Sequence, residues 1–213
     1  MIGGGAWETL GQLTLRHLYL AGVPLLLGLL VSLPLGWLAA RSRWLQTPVV
    51  AGTSLLYTIP SLALFIMLPL ILGTRILDDA NVLVAMTLYT VALLTRTVAD
   101  GFGSVPGHVR QAATAMGYGE LRRVVSVDLP LAVPVITAGL RVAAVSNVSI
   151  VSIAALIGVS QLGMLFTDGF NRNAMGPIVV GVLACVVLAV ALDAAIAGLS
   201  KVLTPWLRSG ANA

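Results

Sequence analysis

Apolar residues run in long blocks along this chain, separated by short polar connections. Five blocks, residues 18–40, 48–72, 82–99, 131–158 and 177–199, are each of the length needed to cross a hydrocarbon core, which takes roughly 20 residues for about 30 Å. Alternation with a period of two is absent from these Leu/Val/Ala runs, so they do not read as barrel strands. Backbone groups in lipid must be paired within the segment, which predicts helices. The fourth block is longer than one crossing needs and is expected to tilt, break or re-enter. Pro34, Pro60, Pro69 and Pro134 interrupt the blocks and predict kinks. The first block is too long for the apolar core of a signal peptide and reads as a retained span.

Composition agrees with the pattern. Of 213 residues, 58% are hydrophobic and 9% charged, with a mean hydropathy of +1.01; a soluble domain holds about half apolar and a quarter charged residues. The net charge of +4 and pI near 9.8 do not point to nucleic acid, because the basic residues fall mostly in the connections, where they set topology. Arg41, Arg43, Arg110, Arg122, Arg123, Lys201 and Arg208 fall on one side, against Arg16, Arg75 and Arg172 on the other. The imbalance predicts an outside amino terminus and a cytoplasmic carboxyl terminus. Cys185 lies inside an apolar run and excludes a disulfide framework or paired-thiol motif. His17 and His108 are expected in exposed connections without metal-ligand spacing, so no metal site is expected. The terminal stretches GGGA and SGANA are expected to be mobile. The predicted architecture is an all-α, polytopic membrane helix bundle, one unit across residues 1–213, with no internal repeat.

One connection carries more than topology. In RQAATAMGYGELRRVVSVDLP, residues 110–130, Val109, Ala112, Ala113 and Met116 recur at helical spacing, as do Leu121, Val124 and Val125. Two short helices follow, hinged at Gly117 and Gly119, both able to take positive φ, with Pro130 expected to end the second before the fourth span. Arg110, Arg122 and Arg123 are expected on faces away from the apolar stripes. Isolated helices shorter than about a dozen residues are marginal in water, so the hairpin needs a surface: lipid headgroups or a soluble partner.

The spacing of Gln111, Ala112, Ala113, Gly117, Val127, Leu129 and Pro130 resembles the cytoplasmic loop signature of bacterial ABC importer permeases, with Gln111 where a glutamate is usual. Residues 58–73, TIPSLALFIMLPLILG, and residues 129–141, LPLAVPVITAGLR, look like the second and fourth spans of the glycine betaine, carnitine and choline permease group. Residues 153–163, IAALIGVSQLG, resemble a further segment of that group, with Val159, Ser160 and Gln161 where more glycine is expected. The resemblance implies a MetI-like fold and a multi-pass subunit of the bacterial cytoplasmic membrane, importing a small quaternary ammonium osmoprotectant. It implies a coupling loop within residues 100–130, cytoplasmic ATPase subunits, an extracytoplasmic binding protein and a second permease copy or paralogue. No phosphate-binding loop of the Walker type is present. ATP and Mg are therefore expected on the partner ATPase, and this chain is expected to bind no cofactor and to hold no catalytic residue.

Polar residues within the spans are the remaining candidates. Arg141 and Asp193 are expected to form an intramembrane ion pair. Tyr57, Pro60, Ser61 and Asn147 are candidates for lining a pathway, Tyr57 because quaternary ammonium groups favour aromatic faces. Asn147 equally suits a hydrogen bond between helices, and Arg96 with Asp100 suits a same-helix pair. Other readings are a permease for another small solute such as an amino acid, and an ion-coupled secondary transporter. The latter usually carries inverted repeats and buried coupling carboxylates. An intramembrane enzyme lacks a nucleophile with its base, and a purely structural subunit gives no reason for the hairpin.

Overall fold

The computed structural model describes residues 4–206; Arg208 and the stretch SGANA lie outside them. The described residues form helices α1 (Gly4–Arg41), α2 (Arg43–Tyr57), α3 (Ser61–Leu72), α4 (Asp79–Gly103), α5 (Gly107–Ala115), α6 (Glu120–Arg123), α7 (Leu129–Val151), α8 (Met164–Asn171) and α9 (Met175–Leu203). A π-helical turn, Val124–Asp128, joins α6 to α7, and a 3-10 turn, Ser152–Ile157, tightens the end of α7. No strand occurs among the described residues.

Four helical runs are long and apolar enough to span alone: Trp7–Arg41, Asp79–Gly103, Glu120–Ile157 and Met175–Leu203. The second expected span, residues 48–72, is broken, because α2 and α3 meet at a 98° bend. Pro60 sits at that break, whereas the helices continue through Pro34, Pro69 and Pro134. Proline lacks the N–H a helix interior needs, yet Pro130 does not stop the second hairpin helix as expected. It lies in the first turn of α7, and the π turn carries the helix past it, with the Leu129 N–H bonded to the Val124 carbonyl five residues back.

α1 begins well before residue 18. The stretch GGGA, expected to be mobile, overlaps its first turn, and the two polar residues that closed the apolar block from the sequence side are both partnered. Arg16 pairs with Asp79 of α4 at 2.8 Å. His17, expected in an exposed connection, is fully buried: its Nε2 lies 2.9 Å from the Val148 carbonyl and its Nδ1 3.0 Å from Gln161 Oε1.

α4 is the most buried of the spans and stands at the centre, between α1 and α7. α1 closes on it through small residues. A Cβ at Gly28 would meet the Thr90 side chain, and one at Gly36 would come within 2.5 Å of Val98. Such glycines let backbones approach where lipid gives no hydrophobic drive between helices. α9 lies outside α7, with only Gly181, Leu188 and Ile196 buried. Three apolar clusters succeed one another along the bundle. The first gathers Phe65, Met86 and Leu162, the next Leu94, Leu140 and Ile196, and the last Val98, Phe102, Val124 and Ile136 directly beneath the hairpin.

Candidate functional site

The hairpin turns where the spacing predicted. α5 ends at Ala115, and Gly117 takes φ +82 with its N–H bonded to the Thr114 carbonyl at 3.0 Å, while the Tyr118 N–H reaches the Ala113 carbonyl at 3.1 Å. This paired closure wants a left-handed residue after the helix, which glycine supplies without a Cβ penalty. Gly119 stays at φ −63 and caps the start of α6, so the reversal rests on Gly117 alone.

The apolar stripes of the hairpin are split, with Ala113 and Val124 buried while Met116, Leu121 and Val125 face out. Two of the three arginines turn inward onto Asp128, which is buried. Arg110 Nε lies 3.5 Å from its Oδ1 and Arg123 Nε 3.4 Å from its Oδ2. Arg110 also donates to the Phe102 carbonyl at the end of α4, and Arg123 reaches Thr114 Oγ1 at 3.4 Å. Arg122 lies over the Tyr118 ring at 4.7 Å, and Arg41 of α1 pairs with Glu120 at 2.9 Å. With polarity gathered inside, apolar side chains face out: Met116, Leu121 and Val125 are 70%, 75% and 58% exposed. Ala112 and Gln111 are exposed beside them, and Ala113 is buried. The physical reason is that one carboxylate under the hairpin attracts the cations that amphipathic patterning would send to solvent. Val127, Leu129 and Pro130 are part-buried at the head of α7, with Leu129 packed on the cluster beneath, so they carry the hairpin and do not share its outer face.

The candidates within the spans separate. Tyr57 ends α2 with much of its ring exposed, and meets Tyr89 edge to face at a centroid distance of 5.7 Å. The Tyr89 hydroxyl donates to the Ile59 carbonyl, which the helix break leaves free. Pro60 is exposed at the bend and Ser61 part-buried at the start of α3. Asn147 is elsewhere, sealed inside the bundle. Its amide donates to Thr90 Oγ1 at 2.9 Å and to the Ala21 carbonyl at 3.3 Å, tying α7 to α4 and α1, so it presents no surface to a passing solute. Arg141 and Asp193 form a two-pronged pair, Nε–Oδ1 and Nη2–Oδ2 both 2.7 Å, linking α7 to α9. Fork geometry of this kind is the strongest a guanidinium makes with a carboxylate. Arg96 and Asp100 approach to 4.0 Å on α4.

Two groupings escaped the sequence. Asp128 is one carboxylate among apolar neighbours, and its only signal is an arginine five residues before it. Gln161 is fully buried. Its Nε2 donates to the Val151 and Ser152 carbonyls at 3.1 and 3.2 Å, and its Oε1 accepts the Gly163 N–H at 2.5 Å besides facing His17. The signal was Gln161 itself, a large amide where glycine was expected. Among the described residues no group of three His, Cys, Asp or Glu side chains converges as a metal would require.

Residues 32–209 match the family model described as binding-protein-dependent transport system inner membrane component. The osmoprotectant import permease protein OsmW of Salmonella typhimurium is 37% identical over 200 residues, covering 92% of each chain. The glycine betaine/carnitine/choline transport system permease protein OpuCD of Bacillus subtilis is 32% identical over 92% of this chain and 85% of its own. Among solved structures, a chain of the MetNI methionine ABC transporter in an inward-facing conformation superposes with a TM-score of 0.84 at 20% identity, covering 95% of this chain and 99% of that one.

Proposed function

This chain belongs to the family of binding-protein-dependent transport system inner membrane components, a multi-pass membrane transport subunit, and from that premise we propose how its hairpin and its spans divide the work. The hairpin faces the cytoplasm and docks a separate ATPase subunit, which holds the ATP and Mg. The opposite end, carrying Arg16, Arg75 and Arg172, faces outward and receives solute from a binding protein. Two such spanning units, identical or related, enclose the pathway. The observation that carries this reading is the outward apolar face of Met116, Leu121 and Val125 around Ala112 and Gly117. An exposed apolar patch suits a protein partner. Lipid headgroups would be met better by outward arginines.

ATP-driven closure can move the spans only if the partner touches them differently in its two states. The hairpin supplies that contact and is bonded to the ends of α1, α4 and α7. The solute proposed is a small quaternary ammonium osmoprotectant such as glycine betaine, choline or carnitine, supported by the names of the relatives. Tyr57, exposed beside the bend at Pro60 and Ser61, offers an aromatic face to such a cation.

Reconstitution into vesicles with the ATPase and the binding protein tests the assignment. Labelled glycine betaine, choline and carnitine are expected to accumulate only with hydrolysable ATP. Accumulation of methionine or proline in their place would favour the amino-acid reading, and accumulation driven by an ion gradient without ATP would replace the importer by a secondary transporter.

A further inference from the structure

The π turn at Val124–Asp128 sits between the docking hairpin and the span it must move. A π turn adds one residue to a helical turn, so it rotates everything before it relative to everything after, and such turns gather at functional sites. Here the rotation has a visible consequence. Asp128, the last residue of the turn, points beneath the hairpin with its side chain only 4% exposed. Its two oxygens are divided between the two arms, Arg110 of α5 and Arg123 of α6. Arg110 continues to the end of α4, and Arg123 continues to Thr114 on the opposite arm.

The arrangement has more charge than stability requires. Buried pairs cost desolvation that their attraction often fails to recover, and apolar residues of similar volume hold a fold at least as well. Arg110 Nε and Asp128 Oδ1 stay 3.5 Å apart, each buried and without a hydrogen bond, beside a cavity of about 140 Å³ that also meets Trp37, Arg41 and Glu120. Of the hairpin's apolar side chains, Ala113 is buried and Val124 packs in the cluster beneath, while Met116, Leu121 and Val125 face out. An ionic attachment is added to that packing, and its centre is one carboxylate at the head of α7.

We propose that Asp128 is a positioning residue for ATP coupling. Held between Arg110 and Arg123, it locks both arms of the hairpin to the head of α7, so that displacement of the docked hairpin passes into the span and is not absorbed in the connection. The proposal rests on the importer reading above and adds to it a transmission joint distinct from the docking face.

The test compares solute accumulated per ATP hydrolysed by the reconstituted complex carrying Asp128→Asn, Asp128→Glu or Arg123→Gln. Asp128→Asn keeps the shape and removes the charge, so the complex is expected to assemble and hydrolyse ATP, while solute per ATP falls at least about fivefold, the low end of typical coupling between sites. Asp128→Glu, which restores the carboxylate, is expected to recover most of the ratio. A merely structural role would lower the amount of complex and leave the ratio of the surviving molecules unchanged. If Asp128→Asn does not accumulate, Arg123→Gln, which frees only the α6 arm, gives the same reading. An unchanged ratio in whichever variant assembles overturns the proposal. Absence of ATP-dependent uptake by the unaltered complex would instead overturn the importer reading on which it rests.

Discussion

Replacing Gly117 by aspartate is expected to abolish ATP-driven uptake while the chain still inserts and folds. In the chain by itself there is room for a side chain, since nothing lies within 4 Å of a Cβ at this position. Aspartate also tolerates the left-handed backbone that Gly117 adopts at φ +82 better than most residues do. What remains to oppose it is the partner. A charged group at the apex of an apolar docking face must be desolvated as the hairpin seats. Uptake is therefore expected to fall at least about tenfold, equivalent to about 1.4 kcal/mol of docking free energy. The check is uptake by reconstituted complex alongside the yield of folded permease. Normal uptake at normal yield would remove the hairpin from the docking role.

The other large effect is expected at Gln161, on stability. Gln161→Leu preserves volume but strands the Gly163 N–H inside the bundle, takes from His17 one of its two partners, and removes the second donor from the Val151 and Ser152 carbonyls, which keep their bonds within the 3-10 turn. A buried polar group left unpaired costs about 1–3 kcal/mol. Two such groups together are expected to lower the unfolding midpoint in detergent by roughly 10 °C, at about 2–4 °C per kcal/mol for a chain of this size. His17→Leu is expected to be milder, because the three backbone bonds of Gln161 survive. A Gln161→Leu midpoint equal to that of the unaltered chain, or above that of His17→Leu, would show that the network does not hold the 3-10 turn to α1.

These two sites differ in how far the sequence disclosed them. The spans were legible because lipid imposes a length and an internal hydrogen-bonding rule on every crossing, and apolar runs obey both. The hairpin was legible because a motif at fixed spacing required a reversal at Gly117, and the backbone makes it there. The orientation of its arms was not. Patterning assumes that cations seek water, and a single carboxylate at Asp128, 18 residues beyond Arg110 along the chain, reverses that for two of three arginines. The burial of His17 is hidden from the sequence for a related reason. A histidine beside an arginine reads as a connection until its partner is known, and Gln161 stands 144 residues away. Pro130 was expected to end a helix because proline usually does; a π turn one step earlier is a tertiary solution that no local rule announces. The break at Pro60 and the sealed position of Asn147 likewise depend on neighbours, Tyr89 for one and Thr90 with Ala21 for the other.

Accessibility of the hairpin's outer face in the assembled complex tests the central claim most directly. With Cys185 replaced by serine, a single cysteine at Met116 (Met116→Cys) reports that face by its rate of maleimide labelling, and one at Leu77 (Leu77→Cys), exposed at the far end of the bundle, serves as reference. Addition of the ATPase is expected to protect the Met116 site and to leave the Leu77 site unchanged. Equal labelling of the Met116 site with and without bound ATPase, in a complex that still transports, would contradict the account.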